Sequence, residues 1–132
     1  MNELSYQQKK ALLDTIGEKV VNFRDRSLRM SMTYATGQSV NKVKEKQYEI
    51  LSNLTDEERE KIYDLLSETI TDTIYNFFEM FEENRENMKL IIMKDEEEYN
   101  MMDVTEKMGG EMVMSTEDGW ISKFSKVGRF IL

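Results

Sequence analysis

The sequence predicts an α+β fold, with an N-terminal group of about three helices packed on a small C-terminal antiparallel sheet. Three observations carry this expectation. The 132 residues include no proline and only six glycines, so the usual helix stops are missing over most of the length. Apolar residues recur at three- and four-residue steps up to about residue 83, whereas beyond Asn87 short apolar runs alternate with charged or turn-forming segments. Helices and strands segregated in this way favour α+β over an alternating α/β sheet. A single domain is expected over residues 1–132, helical to about residue 86 and β-rich from about residue 87. A chain of this length buries roughly two thirds of its unfolded surface around one core.

The first helix is expected from about Ser5 to about Tyr34. Leu12, Ile16, Val20 and Phe23 follow at helical steps, with Leu13, Val21 and Leu28 alongside. Gly17 weakens this helix by about 1 kcal/mol relative to alanine without forbidding it. A shorter helix is expected over about Val40–Ser52, where Val43, Ile50 and Leu51 share a side. The clearest boundary is Thr55-Asp56-Glu57-Glu58, a capping box in which the Thr55 hydroxyl and the Glu58 carboxylate each satisfy the other's backbone amide. The helix it starts carries Ile62, Leu65, Leu66, Thr69, Ile70, Thr73, Ile74, Phe77, Phe78 and Phe81, and this stripe is expected to face the core.

Four strands are expected after it. Met88–Met93 and Tyr99–Val104 would form a hairpin across the charged run Lys94–Glu98, with the apolar face packed on the helix that starts at Asp56. Glu111–Ser115 and Trp120–Val127 are separated by Thr116–Gly119, whose Asp-Gly step is a turn signal. Between the pairs, Thr105–Gly110 reads as a helical turn closed by glycines. The tail Arg129–Leu132 is apolar enough to dock.

Composition narrows the chemistry. With no histidine and no cysteine, the neutral-pH titrant, the thiolate nucleophile and the commonest metal ligands are all missing. Ser39-Val40-Asn41-Lys42 has the Ser-x-x-Lys spacing, but its companion Ser-Asp-Asn and Lys-Thr-Gly elements are absent. Asp95–Glu106 resembles a calcium loop only superficially, because Tyr99 takes a ligand position and Asn100 stands where glycine is needed. No cofactor and no metal is expected, and the chain reads as a non-enzyme. No stretch approaches the roughly 20 apolar residues of a membrane span, and the first residues lack a signal-peptide pattern. The expected compartment is the cytoplasm, and the lack of cysteine with the Lys, Glu, Ile and Asn bias suggests a bacterium.

Charge is unevenly placed. Residues 1–46 hold nine Lys or Arg against five Asp or Glu, a balance of +4, and residues 47–132 hold nine against 21, a balance of −12, which together give the net −8. Glu60, Asp64, Glu68 and Asp72 stand at four-residue steps, continued by Glu79 and Glu83, which makes an acidic ridge along one helix. Seven of the eleven methionines lie between Met88 and Met114. Neighbours on a strand alternate faces, so Met101-Met102 and Met112–Met114 are expected to present some methionine outward. Trp120, the single tryptophan, reads either as a core plug or as an exposed anchor.

These features lead to an expectation of a small acidic protein-binding module, an inhibitor or immunity-type partner of a basic protein. Glu60, Asp64, Glu68, Asp72 and Glu79 would give approach and register, and Trp120, Tyr99, Met101 and Met112 apolar anchorage. The acidic total argues against nucleic acid, although Lys123, Lys126 and Arg129 interleave with Trp120 and Phe124. Two alternatives are a homo-oligomer pairing through Leu28, Met30, Met32 and Tyr34, and an enzyme using a carboxylate in a pocket between helices and sheet.

Overall fold

Two capping boxes start the two long helices. In the computed structural model, which describes residues 4–35, 41–113 and 119–127, α1 spans Tyr6–Ala35 and α3 spans Asp56–Glu83. At Thr55 the box anticipated above is complete: the Glu58 amide donates to Thr55 Oγ1 at 3.1 Å and the Thr55 amide to Glu58 Oε1 at 3.0 Å. Ser5 and Gln8 repeat the pattern ahead of α1, at 3.1 and 2.8 Å. Between the long helices lie α2 (Lys42–Gln47), capped by the Asn41 carboxamide, and a 3-10 turn over Glu49–Asn53. The single short helix expected there is thus split in two.

The α1 and α3 helices run antiparallel. Arg24 bonds Ser67 and Thr71, while about two turns earlier on α1 Gly17 meets the Trp120 ring that also packs on Phe78. Gly17 is what allows that approach. A Cβ built there would lie 2.5 Å from Trp120 ring carbons, so the missing side chain makes room for the indole at the cost of some helix propensity. Gly109 plays the same part where α5 (Met108–Val113) crosses α3, its Cβ position falling 2.8 Å from the Tyr75 ring.

The sheet is smaller than expected. It has two strands, β1 (Ile91–Lys94) and β2 (Glu97–Asn100), paired antiparallel with Ile92 opposite Tyr99 and Lys94 opposite Glu97. Asp95 and Glu96 form the connection with φ of 53° and 67°. Both are left-handed, the requirement of a tight two-residue hairpin turn, so the hairpin across the acidic run forms with its return strand two residues earlier than predicted. Ile92, Tyr99 and Leu90 pack on the core, and Ile91 and Met93 point away from it.

The other expected strands are helical. The chain leaves β2 directly into α4 (Met101–Val104), with the Asn100 side chain accepting from the Met102 amide, then continues as α5, and α6 occupies Trp120–Phe124. The reason is visible in the burial. Met101, Val104, Met108 and Met112 are buried at three- and four-residue steps, a helical period that strand alternation could not serve. The interior joins these residues to Leu12, Leu13, Ile16 and Val21 of α1, Phe78 of α3, and Trp120 and Ile121 of α6. The expected turn at Thr116–Gly119 falls largely, and the docked tail wholly, outside the described residues, as does Ser39. Among the described residues no helix is long and apolar enough to cross a membrane.

The α3 helix is rolled by about a quarter turn from the orientation its apolar stripe suggested. Its buried residues are Tyr63, Ser67, Thr71 and Phe78, whereas Leu65, Thr69, Thr73 and Phe77 of the predicted core stripe are exposed. The cause lies on α1. Arg24 is fully buried, and only small hydroxyl side chains facing it could both make space for a guanidinium and accept its protons.

Candidate protein-binding surface

Every buried position of α3 is flanked in the same way. The residue after each is acidic, namely Asp64, Glu68, Asp72 and Glu79, and the residue before each is apolar, namely Ile62, Leu66, Ile70 and Phe77. At 100° per residue, one flank of the helix becomes an acidic row and the other an apolar row. Glu60 extends the acidic row by one turn. Glu60, Glu68 and Asp72 are exposed, and Asp64 and Glu79 are half-buried. Glu79 accepts from the Tyr75 hydroxyl, and its charge, the largest influence there, pushes the phenol pKa up.

A buried polar cluster holds this helix in place. Arg24 Nε donates to Thr71 Oγ1 at 2.8 Å, Nη2 to Ser67 Oγ at 2.9 Å and Nη1 to Asp25 Oδ1 at 2.9 Å. Asp25, 1% exposed, also accepts from the Ser125 hydroxyl at 2.9 Å and from the Lys126 amide at 2.8 Å. One ion pair thus ties α1 to α3 and to the segment after α6. Burial is the largest influence on Arg24 and lowers its pKa, and the adjacent Asp25 carboxylate opposes it. Sequence reasoning missed this cluster, yet its signal was present: Arg24 continues the four-residue series Ile16, Val20, Leu28 on the buried side of α1.

The expected apolar anchors separate. Trp120 is 1% exposed and packs edge-on against Phe78 with ring centroids 6.0 Å apart, so it is a core residue. Met101 and Met112 are fully buried as well, because α4 and α5 turn them inward together. None of these three can meet a partner. Tyr99 keeps a half-exposed ring whose hydroxyl donates to Glu97 at 2.9 Å, on the hairpin and away from the acidic row in the chain. For the self-pairing surface, Leu28 is fully buried, Met32 is half-buried, Met30 is exposed, and the Tyr34 side chain lies outside the description.

One cleft contains a perturbed carboxylate. Tyr6, Lys9, Lys10, Leu13 and Asp14 of α1 face Val104, Thr105 and Glu111 across about 240 Å³. Burial raises the Glu111 pKa, partly offset by a hydrogen bond with Thr105. The space is below the roughly 300–1,000 Å³ of ordinary small-molecule sites. Asp14 is engaged by Lys123 at 2.8 Å. Among the described residues, no group of three or more Asp or Glu could hold a metal ion, and the segment resembling a calcium loop is divided between the hairpin turn, β2 and α4. No protein-family model, curated protein or solved structure matches the chain.

Proposed function

We propose that this chain is a non-enzymatic protein-binding module of a bacterial cytoplasm, an inhibitor or immunity-type partner that covers a basic protein surface with the acidic row of α3. The observation that carries this reading is the exposure of Glu60, Glu68 and Asp72 along one flank of a 28-residue helix. That helix is fixed at its start by a capping box and at its middle by the Arg24 cluster. Regular carboxylates on a rigid element give a fixed strip of negative potential, which steers a basic partner and selects its register while costing little side-chain reorganisation. Asp64 and Glu79 would contribute field rather than direct contact, being half-buried.

The test compares two baits in a lysate. Wild type and a Glu60→Gln/Glu68→Gln/Asp72→Asn variant are immobilised, and retained proteins are identified at low and high salt. The variant should fold normally, since exposed substitutions usually change stability by less than about 0.5 kcal/mol. The reading expects a protein with a basic surface held by wild type at low salt, weakened at high salt and lost with the variant. Identical capture by both baits would remove its support.

A further inference from the structure

The flank of α3 opposite the acidic row continues onto α1. In an antiparallel helix pair, the residue preceding each contact residue falls on the same side of the pair on both helices. Arg24 faces Ser67 and Thr71, so Phe23 on α1 and Leu66 and Ile70 on α3 share a side. The opposite side is the one that Asp25 turns towards Ser125 and Lys126, where the segment after α6 lies. On the first side Phe23 is 59% exposed, Met30 50% and Phe77 51%, with Leu65, 62% exposed, at its edge. Phe77 stacks edge-on with Phe81 at 5.3 Å rather than entering the core.

Helices of 30 and 28 residues are about 40 Å long, and a side-by-side pair is about 20 Å wide, so this face offers roughly 800 Å², the area per partner of a standard stable interface. Its edges differ in sign. Exposed Lys19, Arg26 and Arg29 line the α1 edge, with Arg26 5.5 Å over the Phe23 ring, and exposed Glu68 and Asp72 lie beyond the α3 edge. A two-fold axis across the helices would lay α1 on α1 and set basic edge against basic edge. An axis parallel to the helices lays α1 of one copy on α3 of the other and sets each basic edge beside an acidic one.

We propose that this face binds a second copy of the chain, forming a symmetric antiparallel four-helix bundle in which α1 of each copy packs on α3 of the other. The arrangement covers Phe23, Met30 and Phe77 and leaves Glu60 outside. It does not rest on the basic partner proposed above, although Glu68 and Asp72 border both surfaces, because the apolar face it covers is on the other flank of α3 and its test needs only the purified chain.

Sedimentation equilibrium of the purified protein from about 5 µM to about 500 µM tests it, within the micromolar range that an interface of this size supports. The expected result is a dimer whose dissociation constant rises at least about tenfold in Phe23→Asp and in Phe77→Lys, each checked for helical content by circular dichroism. A wild-type monomer throughout the range overturns the proposal, as does a dimer indifferent to both folded variants. The pairing of edges is read by charge exchange. Arg26→Glu and Asp72→Arg should each weaken the dimer about tenfold and their combination restore it to within about threefold, whereas additive losses overturn the α1-on-α3 arrangement.

Discussion

Arg24→Met is the sharpest probe of the fold, because the guanidinium joins three parts of the chain at one buried point. Methionine fills much of the same volume and keeps helix propensity, so the substitution isolates the polar interactions. The hydrogen bonds to Thr71, Ser67 and Asp25, each between 2.8 and 2.9 Å, disappear. Losses to a charged donor run about 1.5–3 kcal/mol each, but two of the acceptors are hydroxyls that can turn to carbonyls of their own helix. Asp25 keeps the Ser125 hydroxyl and Lys126 amide while losing its counter-charge. Breaking one side of a buried ion pair costs about 3–5 kcal/mol, and the recovered apolar packing places the expected loss near 3 kcal/mol. For a chain of this length that lowers the melting temperature by roughly 10 °C. Urea unfolding followed by far-ultraviolet circular dichroism and by Trp120 emission should show coincident transitions, a lower midpoint and an unchanged slope. A loss below about 1 kcal/mol would refute the view that this cluster fixes α1 against α3.

Three further outcomes follow from the geometry. Gly17→Ala, which in an exposed helix would stabilise by about 1 kcal/mol, should here destabilise by about 2 kcal/mol through collision with Trp120, and thermal melting gives the sign directly. Glu96→Gly should raise stability by about 0.5–1 kcal/mol in chemical denaturation by relieving a left-handed glutamate in the hairpin turn. The Glu58 carboxyl is held below its ordinary value of 4.5 by the Thr55 backbone amide, so its contribution is present above that pH and is lost as pH falls through the depressed value. Glu58→Gln should flatten the acid limb of the stability profile, measured by melts at successive pH values, and an unchanged acid limb would contradict the capping role.

How far the sequence reached depended on the kind of signal. The start of α3 was legible because caps are local chemistry, satisfied by Thr55 and Glu58 whatever the rest of the chain does, and α1 was legible from the helical spacing of its apolar stripe. The hairpin was legible because an acidic run between apolar segments needs a turn, though Asp95-Glu96 does not have the residues usual for one. The segments 101–104, 111–113 and 120–124 were misread for a physical reason, whereas the helical turn expected to end at Gly110 instead runs on through both glycines as α5. Runs of four to six apolar residues are too short for periodicity to separate strand from buried helix, and the decisive series, Met101, Val104, Met108 and Met112, crosses two helices and the break between them. The acidic row of α3 was visible in its spacing, but not its relation to the core. Counting apolar residues put Leu65 and Phe77 inside, whereas the interior partner of α3 is an arginine, which selected Ser67 and Thr71. The same substitution of a polar contact for an apolar one left the stripe of α3 and the side of α1 around Phe23 facing outward.

The acidic row of α3 is proposed to work through its charge on another protein, and the association rate measures this most directly. With the captured basic protein in hand, stopped-flow association of wild type should slow by about tenfold or more between about 20 mM and about 0.5 M salt, as steered encounters do, while the Glu60→Gln/Glu68→Gln/Asp72→Asn variant starts slow and varies little. Equal rates for the two proteins with the same salt dependence would contradict it.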